Sequence, residues 1–363
     1  MATQWRPEVS TAGSPGGGPS RTGSAATLLR EAVSAEQSGR HDQAVAGYEA
    51  VLRVAAGEGA IQELLEALRG RIRTLNHEEE FEVATEVAHL LHTIATGVGD
   101  TGAAGRALNL LGAVSYFEHH YDESRKWYEE ALKTAYEKGD SALIGMACQN
   151  LGILANITGD LREAQRWYLE CIAASVRTGD QIAQAQVYNN LGMVCADMRE
   201  HNQAVLYFDR GIEIAARMGI DTTLAKLRAN LAEPLIGMDR FDAAERTLDE
   251  AETVARRVDD HEILASIRRF RSAIARLQDD LDLACEHLDA ALEIAEAHDL
   301  ELEHAEALGA YARVHRARGD RDRALSTLAE ALGAFRKLGA TRETRRLEEV
   351  WTEWTGSAAP EVE

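Results

Sequence analysis

The sequence predicts an all-α fold in which about eight helical hairpins stack into a solenoid. Three observations lead to this prediction. Only 5 of the 363 residues are proline, and runs of β-branched residues are scarce, so the composition favours helix over strand. The same pattern of residues returns every 40 positions. Within each unit, small and large apolar residues follow one another at helical spacing, as they do between packed helices.

The repeat is clearest at a pair of adjacent residues, leucine followed by glycine. The pairs and their variants are Leu111-Gly112, Leu151-Gly152, Leu191-Gly192, Leu231-Ala232, Arg271-Ser272 and Tyr311-Ala312. A small, a large and a second small residue follow each pair at fixed distances, as Ala164, Tyr168 and Cys171 do in the fourth unit. The same 40-residue spacing, which we call the frame, also fits two earlier units when it is extended towards the N-terminus. This gives eight units of 40 residues.

Each unit is predicted to be a hairpin that buries its apolar face only by stacking on its neighbours. Glycine stands where the chain should turn within a hairpin, as at Gly39, Gly159 and Gly319. Between hairpins a Gly-Asp pair recurs, in which glycine ends one helix and aspartate caps the next. These pairs are Gly99-Asp100, Gly139-Asp140 and Gly179-Asp180. Pro234 falls inside a first helix, where it should either bend the stack or leave a local kink.

The two ends of the chain differ from the repeats. Residues 1–24 are rich in Gly, Ser and Pro and are predicted to be a disordered tail. Residues 25–340 form the predicted solenoid, and residues 341–355 are predicted to be a helix that caps the last hairpin. Residues 356–363 are predicted to fray. The apolar residues of the capping helix are Leu347, Val350, Trp351 and Trp354.

The order of Leu-Gly, aromatic, turn glycine, alanine, aromatic and alanine resembles the tetratricopeptide-repeat family over about residues 25–340. The third to fifth units match well, whereas Glu31, Arg71 and Arg271 replace the leucine elsewhere. Units longer than the usual ~34 residues are similar to those of kinesin light chains, spindle-orientation adaptors and bacterial regulators. The resemblance implies that the solenoid is a right-handed superhelix and that the first helix of each hairpin lines its concave surface. It also implies that the partner is a protein or peptide.

On that basis positions 2, 5, 6, 9 and 12 of each unit point inward, counting the first residue of the Leu-Gly pair as position 7. We name the surface formed by these positions the first-helix face. The residues predicted to bind a partner there are Arg73, Asn76, Arg106, Asn109, Tyr116, Gln149, Asn150, Asn156, Gln186, Asn189, Asn190, Lys226, Asn230, Arg269, Arg276, Arg313 and Arg316.

Amides form the first pattern on this face. Position 6 holds Asn150, Asn190 and Asn230 in three successive units. A carboxamide both donates and accepts hydrogen bonds, so a row of them suits the main chain of an extended peptide, and similar families hold a peptide backbone in this way. The alternative is that these amides bond only to the neighbouring repeat or cap a helix.

Basic residues form the second pattern. A basic lining in a chain of net charge −21 favours an acidic segment or a C-terminal carboxylate as the partner. The alternative is that the arginines pair with acids on neighbouring helices, such as Glu233 or Asp197. The basic residues of the face are Arg30, Arg69, Arg73, Arg106, Lys226, Arg269, Arg276, Arg313 and Arg316, and the acidic ones are Glu36, Glu66, Glu233 and Glu306.

Several function classes are disfavoured. The acidic charge argues against direct binding of nucleic acid, and the absence of a long apolar stretch predicts a cytoplasmic protein with no membrane partner. The isolated cysteines are Cys148, Cys171, Cys195 and Cys285, and they are expected to pack as small apolar residues. No phosphate-binding loop or nucleophile elbow is present. The run from Glu118 to Asp122 contains metal-ligand types but falls in a hairpin turn, so no enzyme activity, metal or cofactor is predicted.

Two functional hypotheses remain. The first is an adaptor or regulatory scaffold that holds a partner segment in a groove lined by Asn and Arg. The second is a bacterial sensor or regulatory subunit, which binds a small peptide or metabolite and acts on a transcription factor or enzyme. An accessory enzyme of a biosynthetic pathway and a homo-oligomeric scaffold are further alternatives.

Overall fold

The structure, a computed structural model, describes residues 24–360. Within these residues the chain forms 17 α-helices and no β-strand, and successive helices pack together over residues 25–138 and over residues 161–355. The predicted all-α fold of stacked hairpins is therefore confirmed. The predicted disordered tail at residues 1–24 lies outside the described residues except for Ser24, and so do residues 361–363 of the predicted frayed end.

The chain forms two compact units, which we call the N-terminal unit and the C-terminal unit; the first ends at Leu154 and the second begins at Ala155. The N-terminal unit contains α1 (Ala25–Gln37), α2 (His41–Glu58), α3 (Ile61–His77), α4 (Phe81–Gly97), α5 (Thr101–Phe117) and α6 (Tyr121–Lys138). The next helix, α7 (Ser141–Thr158), runs across the division. The C-terminal unit contains α8 (Leu161–Thr178), α9 (Gln181–Asp197), α10 (His201–Met218), α11 (Asp221–Gly237), α12 (Phe241–Val258), α13 (His261–Leu277), α14 (Leu281–Ala297), α15 (Glu301–Ala317), α16 (Arg321–Lys337) and α17 (Thr341–Thr355).

The turns repeat as regularly as the helices. From α2 to α17 each helix begins 20 residues after the previous one, and the residue two positions before each start has a positive φ angle. Glycine occupies many of these turns because it adopts left-handed backbone at little steric cost. Glu79, His119 and Arg199 occupy equivalent turns with φ between 59° and 61°. The 40-residue frame places His119 in a hairpin turn, but these three residues are not glycine, so their left-handed backbone was not predicted.

The predicted Gly-Asp caps are confirmed at the junctions between hairpins. Gly139 has a φ of +67°, and the Asp140 side chain accepts a hydrogen bond of 3.0 Å from the Leu143 amide. Asp100 and Asp180 make the same bond, at 2.9 Å, to the amides three residues later. Each aspartate therefore satisfies one of the amides that a helix N-terminus leaves without a partner.

The glycine of the Leu-Gly pair allows an aromatic ring to approach the first helix. A Cβ atom added to Gly112 would lie 2.6 Å from the Tyr128 ring, and one added to Gly192 would lie 2.6 Å from the Phe208 ring. Both distances are shorter than carbon atoms tolerate. Tyr128 and Phe208 are buried, so this close contact is part of the core within each hairpin.

Two units replace the leucine of the pair with arginine, and the structure accommodates the charge with polar partners. In the N-terminal unit Arg71 donates hydrogen bonds to Thr74 at 2.9 Å and to Glu78 at 3.1 Å. In the C-terminal unit Arg271 binds acidic side chains of α12, at distances of 2.5 to 3.3 Å. An ion-pair network therefore takes the place of apolar packing there.

Pro234 does not end the helix that contains it. α11 continues from Asp221 to Gly237, and the Met238 amide donates a hydrogen bond of 3.1 Å to the Pro234 carbonyl. Pro234 is buried among the apolar residues of the helix, so it contributes to the packing of the C-terminal unit.

Candidate functional site

In the N-terminal unit three basic residues of the first-helix face, Arg69, Arg73 and Arg106, have acidic partners. The Arg73 guanidinium donates two hydrogen bonds of 2.7 Å to the Glu36 carboxylate, and the Tyr48 hydroxyl binds the same carboxylate. Burial tends to raise the pKa of Glu36, but the hydrogen bond and charge of Arg73 lower it overall. Arg73 therefore links α3 to α1, and its charge is locally neutralised.

Arg69 and Arg106 also meet carboxylates. The Arg69 guanidinium lies 2.5 Å from Glu66, one turn away on the same helix. Arg106 lies 3.1 Å from Asp140, which is also the cap of α7. Pairing with acids was the alternative interpretation of the basic pattern, and it applies to these residues.

The asparagines of the face pair with one another across neighbouring repeats. In the N-terminal unit the Asn150 amide donates to the Asn109 carbonyl oxygen at 3.1 Å. In the C-terminal unit Asn230 donates to Asn189 at 2.9 Å, and Asn189 is buried. These bonds join position 6 of one unit to position 5 of the preceding unit, so part of the amide row holds the repeats together.

Other amides of the predicted site remain at the surface. Gln149, Gln186 and Asn190 are half-buried on the first helices. Asn76 is also half-buried, and its side-chain oxygen is enclosed without a hydrogen-bond partner among the described residues. The Tyr116 ring, at the end of α5, meets the Phe117 ring edge-on and lies tilted against the Tyr121 ring. The amides of the face therefore fall into two groups: those that bond to a neighbouring repeat, and those that can still form hydrogen bonds to a ligand.

In the C-terminal unit the arginines of the face differ in their contacts. Arg269 forms an ion pair of 2.9 Å with Glu306. Arg313 makes one long hydrogen bond, 3.4 Å, to the Gly309 carbonyl of its own helix. Burial lowers the pKa of Arg313 to about 10, and the positive charges of Arg346 and Arg276 add to this effect. Burial also lowers the pKa of Arg276.

Acidic residues lie in the same part of the C-terminal unit. Glu233 lies on α11 and is partly open to solvent. The surrounding protein nevertheless raises the pKa of its carboxylate. The charge of Asp197 adds to this rise, and the charge of Arg269 opposes it. Burial raises the pKa of Glu303 to about 7, with a further contribution from Glu262, whereas Lys226 opposes the shift. Acidic groups therefore lie among the basic residues of the face in this unit.

The first-helix face of the C-terminal unit is covered in part by α17. The guanidinium of Arg342, in the first turn of α17, donates a hydrogen bond of 2.9 Å to the Asn156 side-chain oxygen. The same group forms an ion pair with Asp197, and both side chains of this pair are about 15% exposed. Burial raises the pKa of Asp197, although the Arg342 charge opposes the rise. α17 therefore reaches from the last hairpin to the beginning of the unit.

Apolar and aromatic contacts hold the rest of α17. Leu347 is buried against Ala305, Ala312 and Leu328. The guanidinium of Arg316, another residue of the predicted site, lies 5.6 Å from the centre of the Trp354 ring, which is the geometry of a cation–π contact. The sequence placed these apolar residues on a helix over 341–355, but it gave no sign that Arg342 would reach Asn156 and Asp197.

The side chains of the turn that contains metal-ligand types contact one another. His119 lies 3.0 Å from the Tyr121 hydroxyl, and His120 lies 3.8 Å from Glu118. No group of three or more His, Cys, Asp or Glu side chains within residues 24–360 is arranged to hold a metal ion. Among the helices of that range, α7 alone is long and apolar enough to cross a membrane, a property that core helices of soluble proteins also have.

The repeated hairpins agree with a comparison of the sequence with models of known protein families. Residues 143–217 match the sequence model of the tetratricopeptide repeat. Tetratricopeptide repeats are therefore recognised by sequence within this part of the chain. A comparison with curated proteins by sequence gives no match, so the relationship to solved tetratricopeptide-repeat proteins is one of fold.

Three solved structures illustrate the proteins that share this fold. The apo form of RapI has a TM-score of 0.65 at 14% identity, and the match covers 74% of this chain and 96% of RapI. Aspartyl phosphate phosphatase F from Bacillus subtilis has a TM-score of 0.64 at 11% identity, over 81% of this chain and 76% of that protein. The Rap conjugation gene regulator of the plasmid pLS20, in complex with the Phr* peptide, has a TM-score of 0.55 at 13% identity, over 92% of this chain and 98% of that protein.

Proposed function

We propose that this tetratricopeptide-repeat protein is a binding scaffold, which holds a polypeptide segment of a partner against the first-helix face of its C-terminal unit. The observation that carries the proposal is that this face already holds a helical segment, because α17 lies on it and bonds to Asn156 and Asp197. A face that accommodates one helix has the shape and the polar groups to accommodate another.

The polar groups left on this face support the same proposal. Gln186 and Asn190 lie on α9 and are half-buried, whereas Asn189 and Asn230 are used between repeats. Half-buried amides bind a main chain strongly because part of their desolvation has already occurred. The pLS20 regulator, which shares the fold, holds a peptide in its solved complex.

The test uses two double variants that are matched in composition. Gln186→Ala with Asn190→Ala removes one Gln and one Asn from the first-helix face. Asn202→Ala with Gln203→Ala removes the same residue types from exposed positions on α10. Tagged proteins are captured from the native cell, and the partners are quantified by mass spectrometry. We expect the first variant to lose partners that the second retains; equal recovery by both would contradict the proposal.

A second candidate is a sensor of a free peptide. It is favoured by the Rap protein complexed with Competence and Sporulation Factor, which shares the fold at a TM-score of 0.54 and 12% identity, over 92% of this chain and 99% of that protein. Native mass spectrometry of the protein purified from its own cell separates the two functions. A sensor retains a short peptide and shows the mass of chain plus peptide, whereas a scaffold shows a larger polypeptide partner.

A further inference from the structure

The contact between Arg342 and the start of the C-terminal unit is a built site for a guanidinium group. Asn156 and Asp197 lie on successive first helices, α7 and α9. The amide oxygen accepts one hydrogen bond and the carboxylate binds the other side of the guanidinium. A planar cation with several donors matches this pair of acceptors better than an ammonium group does. We call Asn156 and Asp197 the arginine pocket.

The electrostatics around the pocket favour a positively charged occupant. Burial raises the pKa of Asp197, and the charge of Arg342 lowers it. Arg346, one turn further along α17, is exposed but also acts on Asp197 and on Glu233. An acidic segment placed in the pocket would face these carboxylates and be repelled.

Capping the last hairpin does not explain this contact. The apolar side of α17 is packed through Leu347 against the last hairpin, and that packing alone would cover the end of the stack. The docked helix also encloses the Thr344 hydroxyl and the Trp351 indole nitrogen, and neither has a hydrogen-bond partner among the described residues. Enclosed polar groups without partners oppose docking, so the interface of α17 is not optimised for permanent closure.

We propose that the arginine pocket is the subsite for an arginine of the partner segment, and that α17 is a resident occupant, which an arginine-bearing helix of the partner displaces. This inference rests on the proposed binding function and specifies the chemistry of the partner. It reverses the expectation of an acidic partner for this part of the face. It also gives the protein a regulatory device, because the partner must compete with a segment that is covalently attached.

The test measures how an α17 peptide binds to the full chain. A fluorescent peptide with the sequence of residues 341–355 is titrated into wild-type protein and into the Arg342→Ala and Arg345→Ala variants. Arg345 is exposed on the same helix, so its replacement controls for the loss of one positive charge. Loss of a charge-assisted pair should release α17, and we expect Arg342→Ala to bind the peptide about ten-fold more tightly than Arg345→Ala does.

A second pair of measurements separates release of α17 from recognition of arginine. Adding Asp197→Asn to the Arg342→Ala protein should abolish its gain in peptide affinity. Replacing the arginine of the peptide that corresponds to Arg342 by alanine should also abolish it. Hydrogen exchange across α17 should be faster in Arg342→Ala than in Arg345→Ala. If Arg342→Ala is insoluble, Arg342→Lys replaces it, with a smaller gain in the same direction because an ammonium group makes fewer of these bonds.

Three results would overturn the inference. They are equal peptide affinity for the Arg342 and Arg345 variants, a gain that survives Asp197→Asn, and a glutamate-substituted peptide that binds more tightly than the arginine peptide. None of these decides the proposed function, which depends on whether Gln186 and Asn190 are needed for partner capture. If partner capture required Gln186 and Asn190 but the arginine pocket showed no preference for arginine, the proposed function would stand and the inference about the pocket would be wrong.

Discussion

Arg271 shows how a charged side chain replaces leucine in this repeat. Its side chain is only 11% exposed and meets Glu245, Asp249 and Glu252 of α12. The hydrogen bond and charge of Glu252 raise the pKa of Arg271 even though burial opposes the rise. The network is therefore a structural feature of the seventh unit, and it shows why a mismatch to the repeat pattern need not weaken a repeat.

We expect Arg271→Ala to lower the free energy of unfolding by about 2 kcal/mol, because it leaves partly buried carboxylates without their main partner and solvent screens only part of the loss. Arg256 provides the control, since it binds the same Glu252 at 2.5 Å but is 61% exposed. Arg256→Ala should cost less than about 1 kcal/mol. Urea unfolding of both variants, followed by circular dichroism, measures the difference. Equal costs would show that burial of the pair is unimportant.

Glu303 should make stability depend on pH. Its pKa is raised from 4.5 to about 7, so between these values the folded protein keeps a proton that the unfolded chain releases. Stability therefore falls as the pH rises through this window. We expect Glu303→Gln to match the wild type near pH 4 and to exceed it by about 1 kcal/mol above pH 7, after allowance for solvent screening.

Urea midpoints across the pH range measure this effect. Glu349→Gln, at an exposed position of α17, controls for the change in net charge. A constant difference between Glu303→Gln and the wild type at every pH would contradict the proposed origin of the shift.

Helix packing explains the glycine of the Leu-Gly pair. The Gly192 Cα faces the Phe208 ring, and an added Cβ would lie 2.6 Å from it. We expect Gly192→Ala to destabilise the protein by about 2 kcal/mol, because steric overlap outweighs the better helix propensity of alanine. Gly309 is the matched control on another first helix, since its added Cβ would be 3.8 Å from Leu347.

Gly309→Ala should be neutral or stabilise the protein by up to about 1 kcal/mol. Thermal unfolding of the two variants under one condition provides the comparison. If both variants were destabilised equally, the close approach of the aromatic ring would not be the reason for glycine in the pair.

The helices were predictable from the sequence, and some of their turns were not. The 40-residue frame indicates two helices per unit because apolar positions, turn glycines and capping aspartates agree with one another. His119 and Arg199 occupy turn positions of the frame without being glycine, and each adopts left-handed backbone. The regular stacking of the helices on both sides fixes these turns, so tertiary structure overrides the local preference of the residue.

At the scale of the whole molecule, the sequence predicts which residues lie on first helices but not which of their side chains bond to each other. Repeat register places Asn150, Asn230 and Arg73 on first helices, and the structure shows that each bonds to another repeat. Sequence spacing does not reveal such bonds, because side chains 37 to 41 residues apart meet only after stacking. The contact of Arg342 with Asn156 spans 186 residues and has no counterpart in the repeat pattern.

Binding by the first-helix face is tested most directly by site-specific photo-crosslinking in the native cell. A photoreactive amino acid replaces either Gln186 on α9 or Gln203, which is exposed on α10. We predict that position 186 forms a covalent adduct with a partner polypeptide and that position 203 does not. Adducts from position 203 alone, or equal adducts from both positions, would contradict a partner held on the first helices.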